Sequence, residues 1–149
     1  MSAASVLQQK IRQTIPLSDA MEFRIDALGL DSIRVSAPLS PNSNIHGTGF
    51  AGSIYSAAIL AGWALCTHIL GEHQVEAELV VAQADIRYRA PVTGDLQCRA
   101  STDENQRAQF LRGVREQGKG LLALDIAVGD GPQAQLRATY CAVARGRTG

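Results

Sequence analysis

A polar loop at residues 42–53 holds the side chains whose types and spacing are suited to chemistry. It reads Asn-Ser-Asn-Ile-His-Gly-Thr-Gly-Phe-Ala-Gly-Ser and contains no Asp, Glu, Lys or Arg. Asn44 offers a side-chain amide, Thr48 offers a hydroxyl four residues later, and His46 is the one side chain of the loop that can transfer a proton near neutral pH. Neutral donors of this kind can hold a developing oxyanion. The loop therefore predicts chemistry by hydrogen-bond donation.

A charge-free run follows and must position this loop. Residues 50–70 contain no Asp, Glu, Lys or Arg, which predicts a helix that is apolar on all sides and lies inside a core or a bilayer. At its usual rise the helix spans roughly 30 Å. The strands predicted downstream could wrap this helix, which favours burial in a protein core over a span of a bilayer. The free N–H groups at its start would add donors and a positive dipole end, and Gly71 is the predicted C-cap.

The rest of the chain predicts one short helix and a set of strands. Val6, Leu7 and Ile11 recur at helical spacing before Pro16. Strand patterns occupy residues 22–28, 32–37, 80–88, 96–100, 110–116, 121–128 and 135–143. The economical assembly is an α+β fold, with a curved antiparallel sheet around one central helix, in a single domain over residues 1–149. Because a single sheet covers only one side of such a helix, we expect a homodimer or a tetramer.

Composition narrows the function classes. The 14 basic and 14 acidic residues cancel, so bulk charge favours neither nucleic acid nor an anionic membrane as a partner. Cys66, Cys98 and Cys141 have no metal-ligand spacing, which argues against a disulfide framework and a zinc site. We expect buried thiols, no metal, no cofactor and, without a secretory signal in residues 2–14, a cytoplasmic location.

Two stretches carry a family resemblance. Residues 37–44, running into 47–55, and residues 84–95 are similar to segments of hotdog-fold proteins. The second stretch, Ala-Asp-Ile-Arg-Tyr-Arg-Ala-Pro-Val-Thr-Gly-Asp, is generic to hotdog thioesterases. The first resembles a narrower family of putative thioesterases, found in some bacteria as the C-terminal half of proteins with an acetyltransferase-like domain. Stand-alone members resemble nearly the whole chain.

The resemblance implies a reaction. The narrower family includes malonyl-[acyl carrier protein] decarboxylases, which make acetyl-carrier protein to prime fatty-acid synthesis. Hotdog thioesterases commonly use an Asp or Glu on or near the central helix as base or nucleophile. Here Phe50-Ala51-Gly52 and Ala58 stand where the usual His-Gly-Gly motif and helical acid would fall. Decarboxylation needs only donors that hold a thioester enolate.

The expected site follows from that chemistry. Asn44 and Thr48 match the family's motif and are the expected catalytic pair. The expected substrate-binding residues are His46, Gly49, Phe50, Gly52 and Ser53. Each choice has a structural alternative: Asn44 can form an Asx-turn, Thr48 can cap the helix, and helix packing explains Gly52 and Ser53 nearly as well.

Two other functions stay open. One is an acyl-carrier-protein or acyl-coenzyme A thioesterase, which would be favoured if a partner subunit supplied an acid such as Asp85. The other is a non-catalytic module that binds acyl groups. An acidic carrier protein would need a basic surface, and the candidates are Arg87 and Arg89 on either side of Tyr88, and a later cluster over residues 107–119.

Overall fold

A computed structural model describes residues 1–146, in which one six-stranded sheet wraps around one long helix. The helices are α1 (Ala3–Thr14), α2 (Pro16–Ala20), α3 (Ala51–Glu72) and α4 (Glu104–Gln117). The strands are β1 (Arg24–Leu28), β2 (Ser32–Ala37), β3 (Ala77–Tyr88), β4 (Leu96–Ser101), β5 (Lys119–Val128) and β6 (Ala134–Ala144). The strand order is β1-β2-β4-β5-β6-β3, and every neighbouring pair is antiparallel. The predicted α+β hotdog arrangement is confirmed.

Helix α3 is the core helix that the charge-free run predicts. It is long and apolar enough to cross a bilayer, yet 61% of its most apolar window is buried inside the protein. The helix packs against β2, β3, β4, β5 and β6. A close contact fixes its position: the Tyr140 hydroxyl donates to the Ile59 carbonyl over 2.8 Å, and a Cβ at Gly62 would collide with that hydroxyl. Glycine is therefore required where the helix and β6 meet.

Strand β3 forms one edge of the sheet and contains a bulge. Its register against β6 shifts between Val81 and Gln83, and the side chains that face the helix change parity there. Ala84 and Ile86 lie partly buried beyond the bulge, whereas Val80, before it, is 54% exposed on the outer face. The uninterrupted alternation expected over residues 80–88 is therefore wrong at its first half.

Two local predictions were also wrong. Residues 110–116, expected as a strand, belong to α4, because Phe110, Leu111 and Val114 bury one helical face. Asp103 caps this helix by accepting a hydrogen bond from the Gln106 amide over 2.8 Å. Gly71 is not a C-cap, since α3 continues to Glu72.

The three cysteines are buried and free, as expected. Burial raises the pKa of the Cys66 thiol and raises that of Cys98 to about 12. Both thiols are consequently protonated at neutral pH and are poor nucleophiles.

Candidate active site

Asn42 anchors both ends of the polar loop to the fold. Its side chain is buried, and its Nδ2 donates to the Met21 carbonyl over 3.0 Å and to the Pro38 carbonyl over 2.7 Å. Its own carbonyl accepts from the Phe50 amide over 2.7 Å. These bonds hold the two ends of the loop, Asn42 and Phe50, together before α3 begins. The sequence did not single out this residue, because its partners lie up to 21 positions away.

Asn44 and Thr48, the expected catalytic pair, are in direct contact. The Asn44 Nδ2 donates to the Thr48 Oγ1 over 2.9 Å and to the Gly49 carbonyl over a longer 3.3 Å. The Asn44 Oδ1 accepts from the backbone amides of His46 and Thr48 over 2.9 and 3.1 Å. The bond to His46 makes the Asx-turn that was the structural alternative. Asn44 therefore shapes the loop and orients the Thr48 hydroxyl at once.

The start of α3 lacks a side-chain cap. Its N-cap is Phe50, which makes no side-chain capping bond, so the alternative role of Thr48 as helix cap is wrong. The N–H groups of Ala51, Gly52 and Ser53 occupy the first turn, where an α-helix offers them no intrahelical acceptor. The positive end of the α3 dipole therefore faces the loop that carries Asn44 and Thr48.

The expected substrate-binding residues divide into packed and open positions. Gly49 is packed, because a Cβ there would press on Val92, Ile54 and Leu96, and its amide donates to the Val92 carbonyl over 2.7 Å. Gly52 lies under the Phe50 ring, only 2.6 Å from the position of a Cβ. Packing explains Gly49, whereas the atoms nearest Gly52 belong to the half-exposed Phe50 ring.

The open positions surround a shallow depression. It is lined by Ser43, Asn44, Ile45, His46 and Phe50. His46 is exposed, the Ile45 side chain is 95% exposed, and Phe50 is 52% exposed. Ser53 is half-buried on the first turn of α3. Apolar side chains this open beside free hydrogen-bond donors suit contact with a ligand or a second subunit.

Two tyrosines that the sequence analysis did not identify as site residues lie beside the site. The Tyr88 hydroxyl donates to the Ala51 carbonyl over 2.8 Å and ties the end of β3 to the start of α3. Partial burial raises the pKa of Tyr88, and neighbouring Tyr55 raises it further. Only the fold brings these groups together, since Tyr88 and Ala51 lie 37 residues apart.

No carboxylate lines the depression in the part of the chain that the structure describes. Asp95, near the start of the loop, accepts from the Leu39 amide over 3.2 Å and lies 3.7 Å from Arg24. Asp85 is paired in register with Arg137, on the outer face of the sheet. Residues 1–146 contain no group of three His, Cys, Asp or Glu side chains placed to hold a metal ion.

The two basic clusters lie at opposite ends of α3. Arg87 and Arg89 flank Tyr88, beside the start of the helix. Arg115, from the later cluster, donates to the carbonyl of His73, which caps the other end of the helix. A helix of 22 residues separates the two ends by roughly 33 Å. Of the two clusters, the first flanks the residue, Tyr88, that contacts the start of α3.

The chain is similar to known families and structures along nearly its whole length. Residues 4–144 match a family model described as "Putative thioesterase (yiiD_Cterm)". The crystal structure of a putative thioesterase from Shewanella oneidensis is 31% identical, with a TM-score of 0.85, over 94% of this chain and 96% of that one.

Two further structures share the fold. A protein of unknown function from Chlorobaculum tepidum is 26% identical, with a TM-score of 0.91, over 95% of this chain and 94% of that one. A protein from Pseudomonas aeruginosa described as a probable thioesterase is 22% identical, with a TM-score of 0.82, over 97% of each chain.

Proposed function

The chain belongs to the family described as putative thioesterases, and within that family we propose that it is a malonyl-[acyl carrier protein] decarboxylase. Its product would be acetyl-carrier protein, which primes fatty-acid synthesis. The observation that carries this proposal is the Asn44–Thr48 pair beside an uncapped helix start, with Asn44 lining a depression whose described lining residues include no carboxylate. Such a site can hold an anion but has no acidic side chain to activate water.

Decarboxylation fits these groups step by step. The bond between the malonyl carboxylate and the α-carbon breaks, carbon dioxide leaves, and the electron pair delocalises onto the thioester oxygen as an enolate. Donors placed at that oxygen lower the barrier because its negative charge grows in the transition state. Protonation of the α-carbon by solvent at this open loop then gives the acetyl thioester.

Thr48 and Asn44 divide the donor role. The Thr48 Oγ1 donates to the Asn44 Oδ1 over 3.2 Å, and the same Thr48 Oγ1 accepts from the Asn44 Nδ2. Its proton can therefore turn from a long bond within the loop to the thioester oxygen. The second Asn44 proton is held by the Gly49 carbonyl over 3.3 Å, and it is equally available for exchange. The dipole of α3 adds a positive potential.

Thioester hydrolysis is the second candidate, because the family and the Shewanella oneidensis neighbour are described as putative thioesterases. It requires a base that activates water. Asp85 lies on the outer face of the sheet beside Arg137, so within one chain it does not serve the loop. Hydrolysis would need an acid from a second subunit or the exposed His46.

A homodimer completes the proposed enzyme. Along α3 the stripe Tyr55, Ile59 and Trp63 is only partly buried, and on β3 the neighbours Val80 and Val81 are 54% and 38% exposed. Within residues 1–146, strand β3 pairs with β6 alone and offers its other edge. We propose that a second copy covers this edge and stripe, since exposed apolar edges favour pairing. The proposed location is the cytoplasm.

The test is the product formed from malonyl-carrier protein. Intact-mass analysis after incubation distinguishes an acetyl group on the carrier, expected here, from the free carrier thiol that hydrolysis would leave. A carrier that stays malonylated would favour the non-catalytic acyl-binding module instead.

A further inference from the structure

A cavity of about 310 Å³ opens on the outer face of the sheet, away from α3. It is lined by Asp85, Arg87, Arg89, Asp125, Gln135 and Arg137. The strand register places these groups in rows, because Arg137 on β6 lies between Asp85 on β3 and Asp125 on β5. In the next row, Arg87 is paired with Gln135.

One arginine, Arg137, bonds to Asp125 and lies beside Asp85 in the strand register. The Arg137 Nε donates to an Asp125 carboxylate oxygen over 2.9 Å, and a second guanidinium nitrogen lies 3.4 Å from the other oxygen. The hydrogen bond to Asp125 and its charge, with a smaller contribution from the charge of Asp85, raise the pKa of Arg137. Within residues 1–146, Arg87 and Arg89 have no carboxylate within 4.0 Å. Three guanidinium groups against two carboxylates leave the cavity with a net positive charge.

Arg87 and Arg89 are tied to the active-site loop through Tyr88. Successive side chains of a strand point to opposite faces, so these two arginines share the outer face while Tyr88 faces α3. The Tyr88 hydroxyl holds the Ala51 carbonyl over 2.8 Å. The Arg89 amide donates to the Gln133 carbonyl over 2.7 Å, so the backbone stays bonded to the segment before β6 one residue beyond β3. The two free cations therefore lie one residue from the contact that fixes the start of α3.

We infer that Arg87 and Arg89, with the Gln135 amide, bind a phosphate ester on the arm that carries the thioester. Guanidinium groups match phosphate oxygens in a bidentate geometry, and an amide adds a neutral donor. The inference rests on the proposed function, because both coenzyme A and the prosthetic group of a carrier protein join a phosphate ester to the thiol. The cavity would anchor that phosphate while the acyl end reaches the loop at Asn44 and Thr48.

Direct binding tests the inference without requiring turnover. The probes are coenzyme A, holo-carrier protein and apo-carrier protein, which lacks the phosphate-bearing arm, each titrated calorimetrically. For Arg87→Ala/Arg89→Ala, we expect roughly tenfold weaker binding of coenzyme A, of holo-carrier protein, or of both, and unchanged binding of apo-carrier protein. The probe whose affinity falls identifies the source of the phosphate. The affinity should also fall as ionic strength rises.

Lys10→Ala is the control, since it removes an exposed cation on α1, outside the cavity and outside both basic clusters. It should leave every affinity unchanged. Equal affinities for the double variant and the wild type would overturn the inference. An equal loss of affinity for holo- and apo-carrier protein, with the affinity for coenzyme A unchanged, would also overturn the inference. It would indicate a surface that binds acidic side chains of the carrier. Because binding is measured without chemistry, a failed decarboxylase assay would leave this result intact.

Discussion

The side-chain amide of Asn44 donates a hydrogen bond to the hydroxyl of Thr48 over 2.9 Å, while the Asn44 carbonyl oxygen accepts from two backbone amides of the same loop. One asparagine therefore uses its acceptor to shape the loop and its donor to orient a hydroxyl. The two uses can be separated by substitution, because aspartate keeps an acceptor at this position and loses the amide protons.

Asn44→Ala and Asn44→Asp should both slow turnover of malonyl thioester by roughly 10² to 10³, or about 3 to 4 kcal/mol, the usual loss for one oxyanion donor. Substrate binding should change much less. Asn44→Asp should also retain the wild-type thermal unfolding midpoint, since the acceptor for His46 and Thr48 remains. Normal turnover by Asn44→Asp would reduce Asn44 to a loop-shaping role.

Thr48→Val should lower turnover by roughly tenfold to a hundredfold, because valine preserves the shape and removes the hydroxyl that is the proposed donor. Thr48→Ser is the matched control and should keep most of the activity. Steady-state rates with malonyl-carrier protein make the comparison. If valine and serine performed alike, the methyl group rather than the hydroxyl would be the feature that matters.

Leu60→Asp should destabilise the fold by about 4 kcal/mol or more, since Leu60 is 8% exposed on α3 and the new carboxylate would have no partner there. Val6→Asp, at a side chain 53% exposed on α1, should stay within about 0.5 kcal/mol of wild type. Urea denaturation followed by circular dichroism measures both. Matching midpoints for the two variants would contradict the assignment of α3 as the core helix.

Two copies of the 15.8 kDa chain should associate at micromolar concentration, because β3 offers an edge with exposed Val80 and Val81 beside the partly exposed apolar stripe on α3. Sedimentation velocity should give a dimer or a tetramer. A compact, folded monomer throughout the concentration range would remove the argument for a second copy.

Much of the fold could be predicted because its patterns are local. The absence of charge over residues 50–70 indicates α3, and alternation indicates β4, β5 and β6. The α4 error was avoidable, since Asp103 followed three residues later by Gln106 is a capping signal before a helical apolar pattern. The bulge in β3 could not be predicted from the sequence, because it depends on pairing with β6.

The contacts of the candidate site are likewise of two kinds, those within one loop and those between distant parts of the sequence. Asn44 and Thr48 lie four positions apart, and their spacing suits a contact within one loop. Tyr88 reaches Ala51 only after β3 returns along α3, and the Asn42 side chain reaches Met21 across β1 and β2. Contacts of that range follow from topology, which no spacing along the sequence encodes.

The fate of the malonyl carboxylate tests the central claim most directly. Malonyl-carrier protein labelled with carbon-13 at its free carboxyl group is incubated with the enzyme, and the labelled products are quantified. Decarboxylation through a held enolate predicts labelled carbon dioxide in step with acetyl-carrier protein. Labelled free malonate, with the carrier thiol released and no labelled carbon dioxide, would contradict the decarboxylase assignment and establish hydrolysis.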